Sequence, residues 1–243
     1  MLEKYLFSLE KKGSFFRLFN ILLISSLIVS FVISFFAKSS IFVITFISLL
    51  LAVPVSKYLK LEDRVYMSHK FSLSELFVRY EKELFIFWSI FIVGILISYL
   101  LNIFGFEFIY QEKIYESIQA GKFIDLNSSF LIVLINNIGI LLLTFVLTFM
   151  INNSIIFVIL WNSSVIGHFL YTSQNSLSLS LIMLPHILLE VSGYILVGIA
   201  AALLSYEIAY YKENKFKIFI KDFSFLFILG IVFIFLGAFV ETL

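Results

Sequence analysis

The sequence predicts an all-α protein, a polytopic transmembrane helical bundle of about seven spans that forms a single membrane domain over residues 1–243. The chain is 61% hydrophobic and only 14% charged, whereas a soluble domain usually carries about a quarter charged residues. It holds 2 Pro and 10 Gly among its 243 residues, which favours long uninterrupted helices over a loop-rich β fold. So much apolar surface needs the lipid bilayer as its solvent.

The apolar runs are long enough to cross a membrane, since a bilayer core needs roughly 20 residues of helix. The fifth run is short and carries Asn162, Ser163 and Ser164 at its centre. It is either a full span or a re-entrant element, and in the second case the spans number six. The runs are residues 18–36, 41–58, 84–104, 130–150, 155–171, 179–205 and 225–240.

The basic residues predict the orientation. Most of the 17 Lys and Arg residues fall on the side of the N-terminus, and the opposite side holds only Lys38, Lys113 and Lys122. The positive-inside rule then predicts a protein of the cytoplasmic membrane with its N-terminus in the cytoplasm and its C-terminus outside. Residues 1–17 carry charge throughout, so they are expected to be a cytoplasmic amphipathic start rather than a cleavable signal. A solvated basic start is the alternative.

Composition also excludes several classes of function. The chain has no Cys, which removes disulfides, Cys nucleophiles and Cys-based metal sites. It contains neither the HExxH pair of a zinc peptidase nor a Ser in a GxSxG elbow. The net charge is only +1, and nothing indicates a nucleic-acid partner. We therefore expect a protein without enzymatic activity or cofactor, with a metal-dependent activity left open.

Two ionisable residues stand out inside the sixth span. His186 and Glu190 are four residues apart and so share a helix face, and Pro185 directly precedes them. A charged side chain at the bilayer centre costs about 2.5 to 3.5 kcal/mol on insertion scales, so Glu190 is expected to face the bundle. Because Pro185 lacks an N–H, the helix either kinks or begins there.

Further polar residues lie at a compatible depth in other spans. We expect His186 and Glu190 to form a buried polar centre with Asn136 or Asn137 of the fourth span. Additional candidates are His168, near the outer end of the fifth span, and Glu241, at the end of the seventh. Three roles are open: interhelical hydrogen bonding, a pathway in which Glu190 exchanges a proton, and a metal site built from His168, His186 and Glu190.

A stripe of small residues marks one face of the sixth span. Gly193, Val197, Ala201 and Ser205 recur at helical spacing, and such stripes let helix backbones approach closely. The stripe predicts that the sixth span lies centrally in the bundle. The alternative is a homodimer face.

The sequence resembles the stage II sporulation protein M family of integral membrane proteins. Leu184, Pro185, His186 and Glu190 match the family's Leu-Pro-His-Gly-x-x-Glu signature, with Ile187 in place of its Gly. The resemblance covers residues 130–243, from a region with Asn136 and Asn137 near its start to the acidic ending at Glu241.

The resemblance implies a function without proving one. The namesake of the family is a membrane scaffold that holds cell-wall hydrolases at the septum during engulfment. We therefore expect a non-enzymatic scaffold or assembly factor whose partners are the lipid bilayer and other membrane or cell-envelope proteins, and which could form a homo-oligomer. The alternative is a channel or transporter whose polar centre is His186 and Glu190.

Overall fold

The computed structural model describes residues 80–104, 126–151, 154–172, 177–209 and 216–242, together with five single positions in the second predicted span. Within this part of the chain every regular element is an α-helix. The single positions, also helical, are Ile44, Thr45, Ile47, Ser48 and Leu51. The helices are α1 (Glu81–Ile103), α2 (Leu126–Met150), α3 (Ile155–Thr172), α4 (Leu177–Ala209) and α5 (Phe216–Glu241).

All five helices are long and apolar enough to cross a membrane. The shortest is α3 with 18 residues, or about 27 Å at 1.5 Å per residue. It is unbroken through its polar centre, where the Asn162 amide donates to the Val158 carbonyl oxygen of the same helix at 2.8 Å. The predicted total of about seven spans is not confirmed, because residues 1–40 and most of the second predicted span lie outside the described residues.

α4 and α5 extend furthest beyond their predicted limits. α4 begins at Leu177 and contains Pro185 in its interior, so the alternative that the helix starts at this proline is wrong. α5 begins at Phe216 rather than at residue 225, and its early turns carry Lys221 and Asp222. These polar residues do not stop the helix, since a membrane-spanning helix can continue beyond the apolar region into a polar environment.

α4 lies at the centre of the bundle. It contacts each of the other four helices, and 56% of its apolar span is buried, against 17% for α2 and 28% for α5. Val197 and Ala201 of its small-residue stripe are fully buried. The predicted central position of the sixth span is therefore confirmed, and α2 is a peripheral helix.

Three helices pack closely around one seam of this bundle. α4 and α5 run antiparallel, because Gly193 faces Gly230 while Glu190, earlier in α4, faces Gly237, later in α5. α2 runs parallel to α4. The two helices pack together around Leu141, which belongs to a small apolar cluster that both share with α5. The Glu190 seam is the name used below for this contact of α2, α4 and α5.

α1 and α3 form a second seam and run parallel. The residue numbers at their contacts increase together in both helices: Gly94 meets Ser163, and Ser98 meets Gly167. The main apolar cluster joins these two helices to α4 and to Leu226 of α5, and it includes the buried residues Ile44, Ile47 and Leu51. The described part of the second predicted span thus packs into the cluster that α1, α3, α4 and α5 share. The His168 seam is the name used below for the contact of α1 with α3.

Candidate functional site

The Glu190 side chain lies where α2, α4 and α5 meet. From α2, the amide nitrogen Nδ2 of Asn137 donates a hydrogen bond to Oε1 of Glu190. From α5, Gly237 makes room for the acid, because a Cβ atom at this position would lie 2.6 Å from Cγ of Glu190. Asn137 is 5% exposed. The carboxyl group is therefore held between an amide on one helix and a bare backbone on another.

A second acid, Glu241, belongs to the same site. It follows Gly237 by four residues and so shares its face of α5, and its charge acts on Glu190 and on Tyr194. Tyr194 lies one turn after Glu190 and is 2% exposed. The site thus combines two half-buried carboxyl groups with a buried phenol and a buried amide. Two ionised carboxyl groups in one such site would repel one another.

His186 lies one turn before Glu190 and is 8% exposed. Its backbone carbonyl faces α5, since a Cβ atom on Gly237 would be 3.4 Å from His186 O. Within the described part of the chain its ring forms no hydrogen bond with Asn137 or Glu190. The shared helix face thus places His186 at the same contact between helices as Glu190 without a direct bond between them.

The two adjacent asparagines of α2 have different roles. Asn137 points inward to Glu190, whereas Asn136 is exposed on the outer face of α2. The Asn136 amide nitrogen lies 3.4 Å from Oδ1 of Asn137 and donates to it. A chain of hydrogen bonds therefore runs from the surface of α2 to the half-buried acid Glu190. Pro185 is also exposed, on α4.

His168 lies in the other seam. Its Nδ1 is 2.8 Å from Oδ1 of Asn102 on α1, and both side chains are buried. The sequence made His168 a candidate for the Glu190 site only because the two residues are expected at a similar depth in the membrane. The structure places it elsewhere because α3 packs mainly against α1.

The polar network around His168 was not predicted from the sequence. The hydroxyl of Ser98 donates across the seam to the Ser164 carbonyl oxygen at 2.7 Å, and the Asn102 amide donates to the Ser98 carbonyl oxygen at 2.8 Å. The signal was present, because Ser98 and Asn102 on α1 are four residues apart, as are Ser164 and His168 on α3. This is the spacing that singled out His186 and Glu190.

Acidic residues are also buried at the opposite end of the bundle. The hydroxyl of Tyr80, which precedes α1, donates to Oδ2 of Asp222 on α5 at 3.4 Å. Glu83 and Glu207 are also at most 7% exposed. This end is separate from both seams, since α1 and α5 extend from it toward His168 and Glu190.

The metal site that the sequence left open as an alternative is not assembled among the described residues. Among the residues that the structure describes, no group of three or more His, Asp or Glu side chains could hold a metal ion. His168 bonds to Asn102 of α1, whereas Glu190 packs against Gly237 of α5, so the candidate ligands His168, His186 and Glu190 lie in two different seams.

A family model described as Stage II sporulation protein M matches residues 83–243. The chain belongs to this family. The matched region begins in α1 and so includes the His168 seam as well as residues 130–243, where the sequence resemblance was recognised. Ile187, at the glycine position of the signature, packs against the main apolar cluster. No curated protein and no solved structure matches the chain.

Proposed function

We propose that this protein is a non-enzymatic scaffold or assembly factor of the cytoplasmic membrane, with its N-terminus in the cytoplasm and its C-terminus outside. The observation that carries the proposal is the direct backbone contact of α4 with α5. A Cβ atom on Gly193 would lie 2.8 Å from the Gly230 carbonyl oxygen, and one on Gly230 would lie 2.9 Å from the Gly193 oxygen. Such packing suits a rigid bundle and leaves no space for a solute between these helices.

The outer face of α5 offers a surface for other membrane proteins. It presents a row of exposed apolar side chains, including Ile228 at 60%, Ile231 at 40% and Phe235 at 49% exposure. These lie at helical spacing on the face that points away from α4. Lipid or the helix of a partner can cover such a face, because van der Waals packing drives helix association in membranes.

The test is affinity purification of the full-length chain from native membranes in a mild detergent. We expect a second membrane or envelope protein in a fixed ratio to the chain. Substituting Ile228 and Phe235 by Ala should release that protein, whereas Ile92→Ala, at an equally exposed position of α1, should not. Recovery of the chain without a partner, together with solute flux in liposomes, would contradict the proposal.

The second candidate is a channel or transporter. It is favoured by the two interacting carboxyl groups of Glu190 and Glu241 and by the chain of hydrogen bonds from Asn136 to Glu190. Proton-coupled transporters use such intramembrane acids. Reconstituted protein should then carry a solute or proton flux that Glu190→Gln abolishes while the helical content is retained. Absence of flux in both proteins would leave the scaffold as the better proposal.

A further inference from the structure

The outer face of α2 carries an amide where only apolar groups are expected. Asn136 is exposed on this face, beside Ile132 at 61% and Ile135 at 67% exposure. It lies six residues inside the apolar span that begins at Phe130, or roughly 9 Å along the helix axis. Its one hydrogen bond within the described part of the chain, to Asn137, leaves the side-chain carbonyl oxygen and one N–H without a partner there. In lipid, such groups have no water to bind.

Gly139 lies on the same face and is not explained by packing among the described residues. A Cβ atom added there would meet nothing within 4 Å, whereas one on Gly193, Gly230 or Gly237 would come closer than 3.0 Å to a neighbour. Glycine weakens a helix interior unless it permits a close approach. The partner that approaches Gly139 is therefore outside the described part of the chain.

These positions form one continuous seam along α2. Ile132, Asn136, Gly139, Leu143 and Val146 recur at intervals of three and four residues, and all are exposed. This is the pattern with which one helix packs lengthwise against another. A single asparagine within such a seam fixes the register of the two helices. In any other register its amide would pack against an apolar side chain, which is unfavourable.

The described residues of the second predicted span do not cover this seam. Ile44, Ile47 and Leu51 are buried in the main apolar cluster with α1 and α3. The inner face of α2 belongs instead to the cluster of Leu141 and Tyr194. The described residues of that span therefore belong to a cluster that holds no described residue of α2.

We propose that the α2 seam is the interface between two copies of this chain. The reason for choosing a second copy is that an amide is self-complementary, with both an acceptor oxygen and donor N–H groups. Under twofold symmetry, each Asn136 meets the Asn136 of the other copy, and the two helices approach closely at Gly139. The dimer does not depend on the proposed scaffold function, because it follows only from the geometry of α2.

The absence of Cys from the chain makes a disulfide test direct. Single-cysteine variants Ile132→Cys and Gly139→Cys are made in the full-length protein, in its membrane, and treated with a mild oxidant. We expect a covalent dimer of twice the chain's mass for both variants. The matched controls are Ile92→Cys on α1 and Ile228→Cys on α5, where the native side chains are as exposed as Ile132, and these should give several-fold less dimer.

A second measurement tests the role of the amide. Adding Asn136→Leu to Gly139→Cys should lower the yield of dimer several-fold, whereas Asn136→Gln should largely preserve it. Equal yields at the α2 and control positions would overturn the proposal. A Gly139→Cys variant that resists a membrane-permeant maleimide yet gives no dimer would also overturn it, because another segment or protein would then cover the seam.

Discussion

Helices pack closely at glycines in both the Glu190 seam and the His168 seam, but the polar groups at the two contacts differ. Each brings two helices together at glycines, with Gly193, Gly230 and Gly237 in the first and Gly94 and Gly167 in the second. In the His168 seam the polar groups are hydroxyl, amide and imidazole, and they bond to one another or to backbone across the contact. In the Glu190 seam the Asn137 amide donates to Glu190, and Glu241 brings a second carboxyl group into electrostatic interaction with it.

This difference separates a structural network from a candidate functional one. Neutral groups that donate and accept in pairs stabilise helix contacts by about 1 kcal/mol each and need nothing else. Two neighbouring, half-buried acids favour a further proton, donor or cation, because two negative charges so close to apolar surroundings are unfavourable. The Glu190 seam is therefore where activity should be sought, and the His168 seam should act as a rigid support.

The largest effect on stability is expected from replacing a glycine in each seam by a larger residue. Gly193→Val and Gly167→Val should each destabilise the bundle by about 3 kcal/mol. The reason is that the new side chains meet backbone carbonyls, of Gly230 and of Ile95, which cannot rotate away. The free energy of unfolding in mixed detergent and SDS micelles, followed by circular dichroism, measures the effect.

Gly139→Ala is the matched control for these two variants in the monomeric chain, because its added Cβ meets nothing among the described residues of one copy. It should leave the stability of the chain, measured in detergent at a dilution at which it is monomeric, within about 0.5 kcal/mol. If Gly193→Val proved as stable as Gly139→Ala, the two backbones would not be in contact.

A smaller effect on stability is expected from replacing Glu190 itself. Glu190→Leu should destabilise the bundle by roughly 1 to 3 kcal/mol, because the Asn137 amide loses its acceptor inside the bundle. Glu190→Gln retains a carbonyl oxygen for Asn137 and should be close to the native stability. The same unfolding measurement applies, and a Gln variant as unstable as the Leu variant would show that the charge, and not the hydrogen bond, holds the seam.

The smallest expected effect concerns the independence of the two seams. A double-mutant cycle with Asn102→Leu and His168→Leu should give a coupling energy of about 0.6 to 1.7 kcal/mol, as for other polar pairs between membrane helices. The cycle of His168→Leu with Glu190→Gln should be additive within about 0.5 kcal/mol, because the pair shares no contact. A large coupling in the second cycle would mean that the seams form one site.

The sequence alone determined what depends on one helix at a time. Apolar length located five helices, and the small residues of α4 predicted its central position. The free-energy cost of a carboxyl group in lipid was enough to turn Glu190 inward. The four-residue spacing then placed His186 on the same face. Each of these follows from local composition and helix periodicity, so no knowledge of the neighbouring helices was needed.

Only the tertiary structure decided which helix faces meet. Asn136 and Asn137 are at nearly equal depth, yet the rotation of α2 turns Asn137 to Glu190 and leaves Asn136 on the surface. His168 has the depth of the Glu190 site but bonds to α1. Periodicity gives the face on which a residue lies. The partner of that face depends on the packing of the whole bundle, because backbone contacts such as that of Gly193 with Gly230 fix the rotation and register of the helices.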